Sequence, residues 1–245
     1  MVAAIAAVAI AEPIVAASAD EAREAIKRWR RRGVEVILLA GGSHAEVRPL
    51  EQRLEFRGPT ITELGGVIHG GNDRAILKQS PIPREVALAL LRRLGEWERS
   101  EGVSVRAIAA TGEVVRAGTP MVRIEATGEA GVIDALDEAL ADPAQRDVDA
   151  TILRTAPTHL SFLAAGVDPT SSLQRVVRGL GLLPSKVIAL SGAAEHAGLL
   201  AWSRGVAVGT SDAAILRAAG GRRLAIDDWA GFDRLVETLA PTPKA

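Results

Sequence analysis

Few side chains in this sequence could do chemistry near neutral pH. They are His44, His69, His159 and His196, with Glu12, Glu195 and Asp212 beside the chain's apolar runs. Glu12, His44, Glu195, His196 and Asp212 all follow short apolar segments that read as strands. Open α/β sheets bind ligands beyond the carboxyl ends of their strands, so these residues could form one polar cluster able to move a proton or hold a metal. Against that reading, no His-x-x-x-His or comparable ligand spacing is present. Acidic groups in a helix's first turn are also favoured by the helix dipole alone. There is no cysteine, which excludes disulfides and thiolate metal sites.

Alternating strands and helices have to position these residues. Val2–Ala11 is an apolar run of the kind a strand covered on both faces needs. The first 17 residues are apolar but carry no basic residue before Arg23, and Glu12 and Pro13 interrupt them, so a buried strand is expected rather than a secretory signal or a membrane span. Ser18 to Glu21 reads as a capping box opening a helix that Gly33 ends, and Val34–Leu39 as a second strand. Ser43 to Glu46 is a second capping box, and Thr60–Thr62 and Val67–His69 are two short strands split by Gly65-Gly66. This βαβα order predicts a parallel, doubly wound sheet.

The pattern then changes. Pro83–Gly102 and Ala130–Ala141 read as helices, and Val103–Ala109, Met121–Ala126, Asp147–Arg154 and His159–Ala164 as strands, an order that fits an inserted α+β module. From Gly166 the first pattern resumes: Asp168 and Pro169 open a helix, and Lys186–Leu190, Gly205–Val208 and Leu224–Ile226 are strands. Helices are expected at Ala194–Ser203 and Ala213–Ala218, and after Asp227, where Trp229, Phe232, Val236 and Leu239 share a buried side. The expected division is 1–80 with 166–245 as the core and 81–165 as the insertion.

Composition narrows the partners. A chain of 245 residues with 48% hydrophobic and 24% charged residues folds with a sizeable core. A formal net charge of −1 gives no general attraction to nucleic acid or to an anionic membrane, so neither is expected as a partner. The absence of cysteine fits a reducing, cytoplasmic setting.

The order of landmarks resembles the haloacid dehalogenase phosphatases of the Cof type, which include sugar-phosphate and mannosyl-3-phosphoglycerate phosphatases. The likeness is best over Gly33 to Ser43 and from Gly166 to Leu173, running on to Val208-Gly209. It implies a Rossmann-like core with an α/β cap inserted in it, and a phosphatase that uses Mg²⁺. It also implies four motifs, and here each departs from the family pattern. Where the family has Asp-x-Asp-Gly-Thr, with nucleophile and acid/base, this chain has Ala9-Ile-Ala11-Glu12-Pro13. The phosphate-binding Ser or Thr falls on Ala40, followed by Gly41-Gly42-Ser43. The lysine falls on Pro169, and Gly-Asp-x-x-Asn-Asp becomes Gly192-Ala193-Ala194-Glu195-His196-Ala197. Asn in Glu-Asn-Gly becomes Leu64, and the later Gly-Asn-Ala becomes Gly209-Thr210-Ser211.

Aliphatic groups cannot attack phosphorus, shuttle protons or bind Mg²⁺, a hard cation that takes oxygen ligands. The resemblance therefore implies a protein without the family's chemistry and without its Mg²⁺, one that acts by binding. Its pocket would be lined by Glu12, Gly41, Gly42, Ser43, His44, Gly192, Glu195, His196, Thr210 and Asp212. Helix N-termini there could hold an anion, so a phosphorylated small molecule, a protein partner and a homodimer all stay open. The alternative is a hydrolase with altered, metal-dependent activity through Glu12, Glu195 or His196.

Overall fold

A computed structural model describes residues 5–71, 75–116, 118–141 and 148–239. The apolar run near the start forms β1 (Ala7–Ala11), which lies inside an eight-stranded sheet. It pairs in parallel with β2 (Glu35–Leu39) on one side and β11 (Val187–Ser191) on the other. Beyond β11 lie β12 (Arg204–Val208) and β13 (Arg223–Leu224), and beyond β2 lie β3 (Thr60–Thr62), β4 (Val67–His69) and β5 (Ile76–Gln79).

All pairs from β13 to β3 are parallel, as the βαβα pattern requires. The β3–β4 and β4–β5 pairs are antiparallel, which departs from the expected all-parallel sheet. The reason is local, because the Glu63–Gly66 turn is far too short for a parallel crossover, which takes a dozen or more residues. Strand β5 was not legible in the sequence.

The sheet carries helices on both faces. One face packs on α2 (Ala19–Arg31), α3 (His44–Arg53) and α9 (Trp229–Leu239), through Trp29, Ile26, Val47 and Phe232. The other packs on α6 (Pro169–Gly179), α7 (Ala197–Trp202) and α8 (Ala213–Ala218), through Leu173, Leu199 and Ile215. Trp29 Nε1 donates to Asp233 across the α2–α9 contact at 2.8 Å, and Arg28 pairs with the same carboxylate.

Between β5 and α6 the chain builds a second sheet in the order β7 (Val114–Val115), β6 (Ser104–Ile108), β8 (Arg123–Thr127), β10 (His159–Ala164) and β9 (Ala150–Ala156). Its pairs are antiparallel. One face packs on α4 (Arg84–Glu101) and α5 (Ala130–Ala141), through Leu90, Leu94, Ile133 and Phe162. The short strand β7 is the one element here that the pattern missed.

Three local expectations change. A short helix, α1 (Glu12–Ala17), follows β1, so Ser18 joins two helices and its side chain makes no capping hydrogen bond. Asp228, not Asp227, holds the last helix, its Oδ1 accepting from Gly231 N at 2.8 Å. Ala194–Ser203 is a 3₁₀ turn (Ala194–His196) running into α7. The expected strand starts at residues 2 and 147, and the Leu239 side chain, lie outside the described residues. No described helix is long and apolar enough to cross a membrane.

Candidate ligand site at the carboxyl edge of the larger sheet

Strands β12, β11, β1 and β2 are consecutive neighbours and parallel, so their carboxyl ends share one edge. The residues singled out in the sequence stand along it: Thr210 and Asp212 after β12, Gly192, Glu195 and His196 after β11, Glu12 after β1, and Gly41 to His44 after β2. Neighbouring strands are about 4.8 Å apart, which puts Thr210 about 14 Å from the β2 end. The edge is shared, but most of the side chains turn to partners of their own.

The aliphatic positions follow the same geometry. Ala11 is the last residue of β1 and shares an apolar cluster with Ala40. Ala9 is mid-strand and fully buried, packed with Ile37, Ala189 and Leu173. It pairs in register with Ala189, four residues before Ala193, or about 13 Å of strand. Ala11, two residues on, stands at the strand end under the rim, buried at 2% exposure, and Ala9 lies a full strand step deeper. Ala193 and Ala197 bracket the 3₁₀ turn after β11, half-buried, while Pro169 is buried as the first residue of α6 behind the Asp168 cap.

At the β2 end the N-terminus of α3 is already occupied. Glu46 Oε2 accepts from Ser43 N at 2.7 Å and from Ser43 Oγ at 2.9 Å, while Ser43 Oγ also accepts from Glu46 N. The capping box of the sequence is therefore real, and it places a carboxylate where an external anion would sit. The Ser43 N–H holds the Glu46 carboxyl below its usual range, chiefly through the backbone bond and then the side-chain bond. Asp212 does the same for α8, accepting from Ala214 N at 2.7 Å and Ile215 N at 3.1 Å. At these two helix ends, N–H groups that the sequence offered to an anion are taken by internal caps.

The histidines do not join a common cluster. His44 Nε2 lies 3.0 Å from the buried Glu51 and its ring stacks on His69 at 4.0 Å, away from β11. Glu51 also accepts from Thr60, and His69 Nε2 lies 3.2 Å from Thr62 Oγ1. His196 is 4% exposed and turned inward, with Nδ1 at 2.7 Å from Ser191 Oγ. Ser191 Oγ also accepts from Ala193 N at 3.1 Å. Burial lowers His196 to a pKa of about 4, so the ring is neutral. Glu12 and Glu195 are half-buried, and both carboxyls are raised by burial, Glu12 further by Glu46.

The densest polar group at this edge lies where the smaller sheet covers it. Arg123, on β8, donates from Nη1 to Gly41 O at 2.7 Å. Its Nη2 lies 3.0 Å from both Glu63 Oε2 and Glu125 Oε1. All three are buried: Glu63 at 0%, Arg123 at 8% and Glu125 at 7% exposure. Glu63 and Leu64 both hold left-handed backbone, at φ 52° and 53°, which costs about 1–3 kcal/mol per residue and persists only where packing enforces it. Burial raises the Glu63 carboxyl to about 7 against the pull of Arg123. Burial alone would raise Glu125 too, but His159, 3.5 Å away, and Arg123 hold it below its usual range. Ser161, cross-strand from Glu125, is buried and its Oγ makes no hydrogen bond among the described residues.

Sequence reasoning missed Arg123, Glu125 and Ser161. The signal was available: Arg123 and Glu125 are charges two apart within an otherwise apolar strand, which puts both on one face. It did not say what that face meets.

The donor set does not fit Mg²⁺. Ala11, Ala193 and Ala197 offer no oxygen, and no group of three or more His, Asp or Glu side chains among the described residues is placed to hold a metal ion.

Residues 16–105 match the family model for haloacid dehalogenase-like hydrolases. Solved structures extend the likeness to nearly the whole chain. A haloacid dehalogenase-like hydrolase from B. subtilis has a TM-score of 0.76 at 15% identity, covering 96% of this chain and 100% of its own. The fold is that of the haloacid dehalogenase-like hydrolases. A haloacid dehalogenase superfamily phosphatase from Bacteroides thetaiotaomicron gives 0.76 at 12% identity, covering 96% and 95%. A subclass IIB sugar phosphatase gives 0.74 at 14% identity, covering 95% and 98%. No curated protein matches the sequence. In the terms of this fold the larger sheet is the core and the smaller one the cap.

Proposed function

We propose that this chain is a non-catalytic relative of the phosphatases it resembles, and that it acts by binding rather than by hydrolysis. One observation carries the reading: at the rim of β1, β2 and β11 the chain offers Ala11, Ala40 and Ala193, while Glu46 fills the N–H cradle at Ser43. Phosphomonoester hydrolysis needs a nucleophile, a charge clamp and a proton donor, and its uncatalysed rate is among the slowest known. The ligand would be a phosphorylated small molecule or a protein surface, a second copy of the chain included, taken up where cap and core meet.

Turnover of para-nitrophenyl phosphate, without metal and with Mg²⁺, Mn²⁺ or Zn²⁺, tests the reading. The expected result is a rate equal to buffer under every condition. Metal-dependent turnover that disappears in Glu12→Gln would overturn it. Such a result would favour the second reading, a hydrolase of altered chemistry. That reading draws on Glu12 and Glu195, half-buried carboxyls held above their usual range as a general acid requires. Light scattering on the eluting protein and a thermal-shift panel of sugar phosphates address partner and ligand.

A further inference from the structure

The larger sheet ends at β13, and beside it helix α9 has two unlike flanks. One flank faces α2, where Arg28 pairs with Asp233 and Arg32 with Glu237, the latter at 2.8 Å. Both carboxylates of that flank are thereby committed to α2. The other flank carries Arg234 and Leu235 and borders a hollow of about 440 Å³ against β12 and β13. The floor of the hollow is apolar: Val206 is 3% exposed, and Leu224 and Leu235 are half-buried against the core. Its rim is cationic, with Arg222, Arg223 and Arg234.

The chain does not balance that charge. Arg234 lies 4.0 Å from Asp228, whose Oδ1 also accepts from Gly231 N. Among the described residues, neither Arg222 nor Arg223 has a carboxylate in ion-pair reach. Arg222 is nevertheless fixed in place, because its Nε donates to Gly205 O at 2.9 Å. That bond orients the guanidinium plane and leaves both Nη groups for a ligand. A pinned guanidinium beside aliphatic carbon suits a carboxylate with an apolar body. The fork of N–H donors matches its two oxygens, and the floor covers its carbon. The volume lies in the range of small-molecule sites, which are mostly apolar with a few placed polar groups.

We propose that this hollow is a binding site, separate from the cap–core seam, for a small carboxylate with an aliphatic or aromatic body. Arg222 takes the carboxylate, and Arg223 and Arg234 flank it. A cationic ligand would meet only like charge, and a bare anion would leave Val206, Leu224 and Leu235 wet. The hollow lies on the α9 face at the β13 edge, so the assignment does not depend on how the seam is read.

Calorimetry on the full chain with octanoate, butyrate, inorganic phosphate and octylamine tests both halves of the assignment. Octanoate should bind at a single site. Butyrate, which lacks four of its methylenes, and phosphate should bind at least about tenfold more weakly, and octylamine should not bind. Arg222→Met keeps an unbranched side chain without the charge, and it should weaken octanoate at least about tenfold. Arg222→Lys, with charge but no fork, should fall between. Arg217→Met, exposed on α8 and outside the hollow, should change nothing. Circular dichroism checks that each variant is folded. Should Arg222→Met fail to fold, Arg234→Met decides, with an expected loss of about threefold or more. Unchanged octanoate affinity in the folded variant would overturn the proposal. So would octylamine or butyrate binding as tightly as octanoate, or no octanoate binding at all.

Discussion

Two regions a few ångströms apart at the same sheet edge solve opposite problems. At the rim of β1, β2 and β11 the side chains are methyl groups, and the polar atoms that remain are satisfied locally: Glu46 on Ser43, Ser191 on His196, Asp212 on its own helix. At the seam between cap and core, Glu63, Arg123 and Glu125 are buried together, and Glu63 stands in left-handed backbone. The contrast teaches where this molecule keeps its costly interactions. The strand ends carry aliphatic side chains, while the cap–core interface carries ionic contacts.

The comparison can be broken most severely at β1. Ala9→Asp would set a carboxylate in the packed interior, and its loss of stability should be about 5 kcal/mol or more, comparable to the stability of a whole domain. Ala11→Asp at the strand end should cost less than half as much in the same urea titration. Ala11→Asp combined with Ala193→Asp should also gain Mg²⁺ binding by calorimetry. Equal losses at positions 9 and 11 would show that the rim assignment is wrong.

At the seam, Arg123→Ala leaves Glu63 buried without its counter-ion and Glu125 with His159 alone, and about 3–5 kcal/mol should be lost by chemical denaturation. Glu63 and His196 then give opposite pH signatures. Glu63 has a folded pKa of about 7, above its value of 4.5 in the unfolded chain, so its contribution is complete below pH 4.5 and fades as pH rises through 7. His196 has a folded pKa of about 4, below 6.5, so its contribution is complete above pH 6.5 and fades as pH falls to 4. Each is worth about 3 kcal/mol at its limit. Against the parent, Glu63→Gln should remove a fall in stability between about pH 4.5 and 7, and His196→Asn a rise in stability between about pH 4 and 6.5. The smallest effect is at the cap of α3, where Ser43→Ala should lower stability by about 1 kcal/mol.

Much of the core was legible because it is built from local signals. The 3.6-residue spacing of Ala22, Ile26 and Trp29, the Ser43–Glu46 box and the Asp168-Pro169 start each fix an element from a handful of neighbouring residues. The antiparallel edge β3–β4–β5 was not, because two short strands around Gly65-Gly66 carry no direction of their own. Ala9 and Ala11 look alike in the sequence. Only the register with Ala189 and Leu39 separates a core methyl from a rim methyl.

The sequence by itself determined the alternation of elements, the inserted module, the lack of thiol chemistry and the aliphatic residues at 9, 11, 40, 193 and 197, since these depend on residue type and spacing along the chain. The tertiary structure decided that His44 and His196 face different partners and that Arg123 meets Glu63. Arg123 and Glu63 lie on different sheets and far apart in sequence, and only the docking of cap on core brings them within reach.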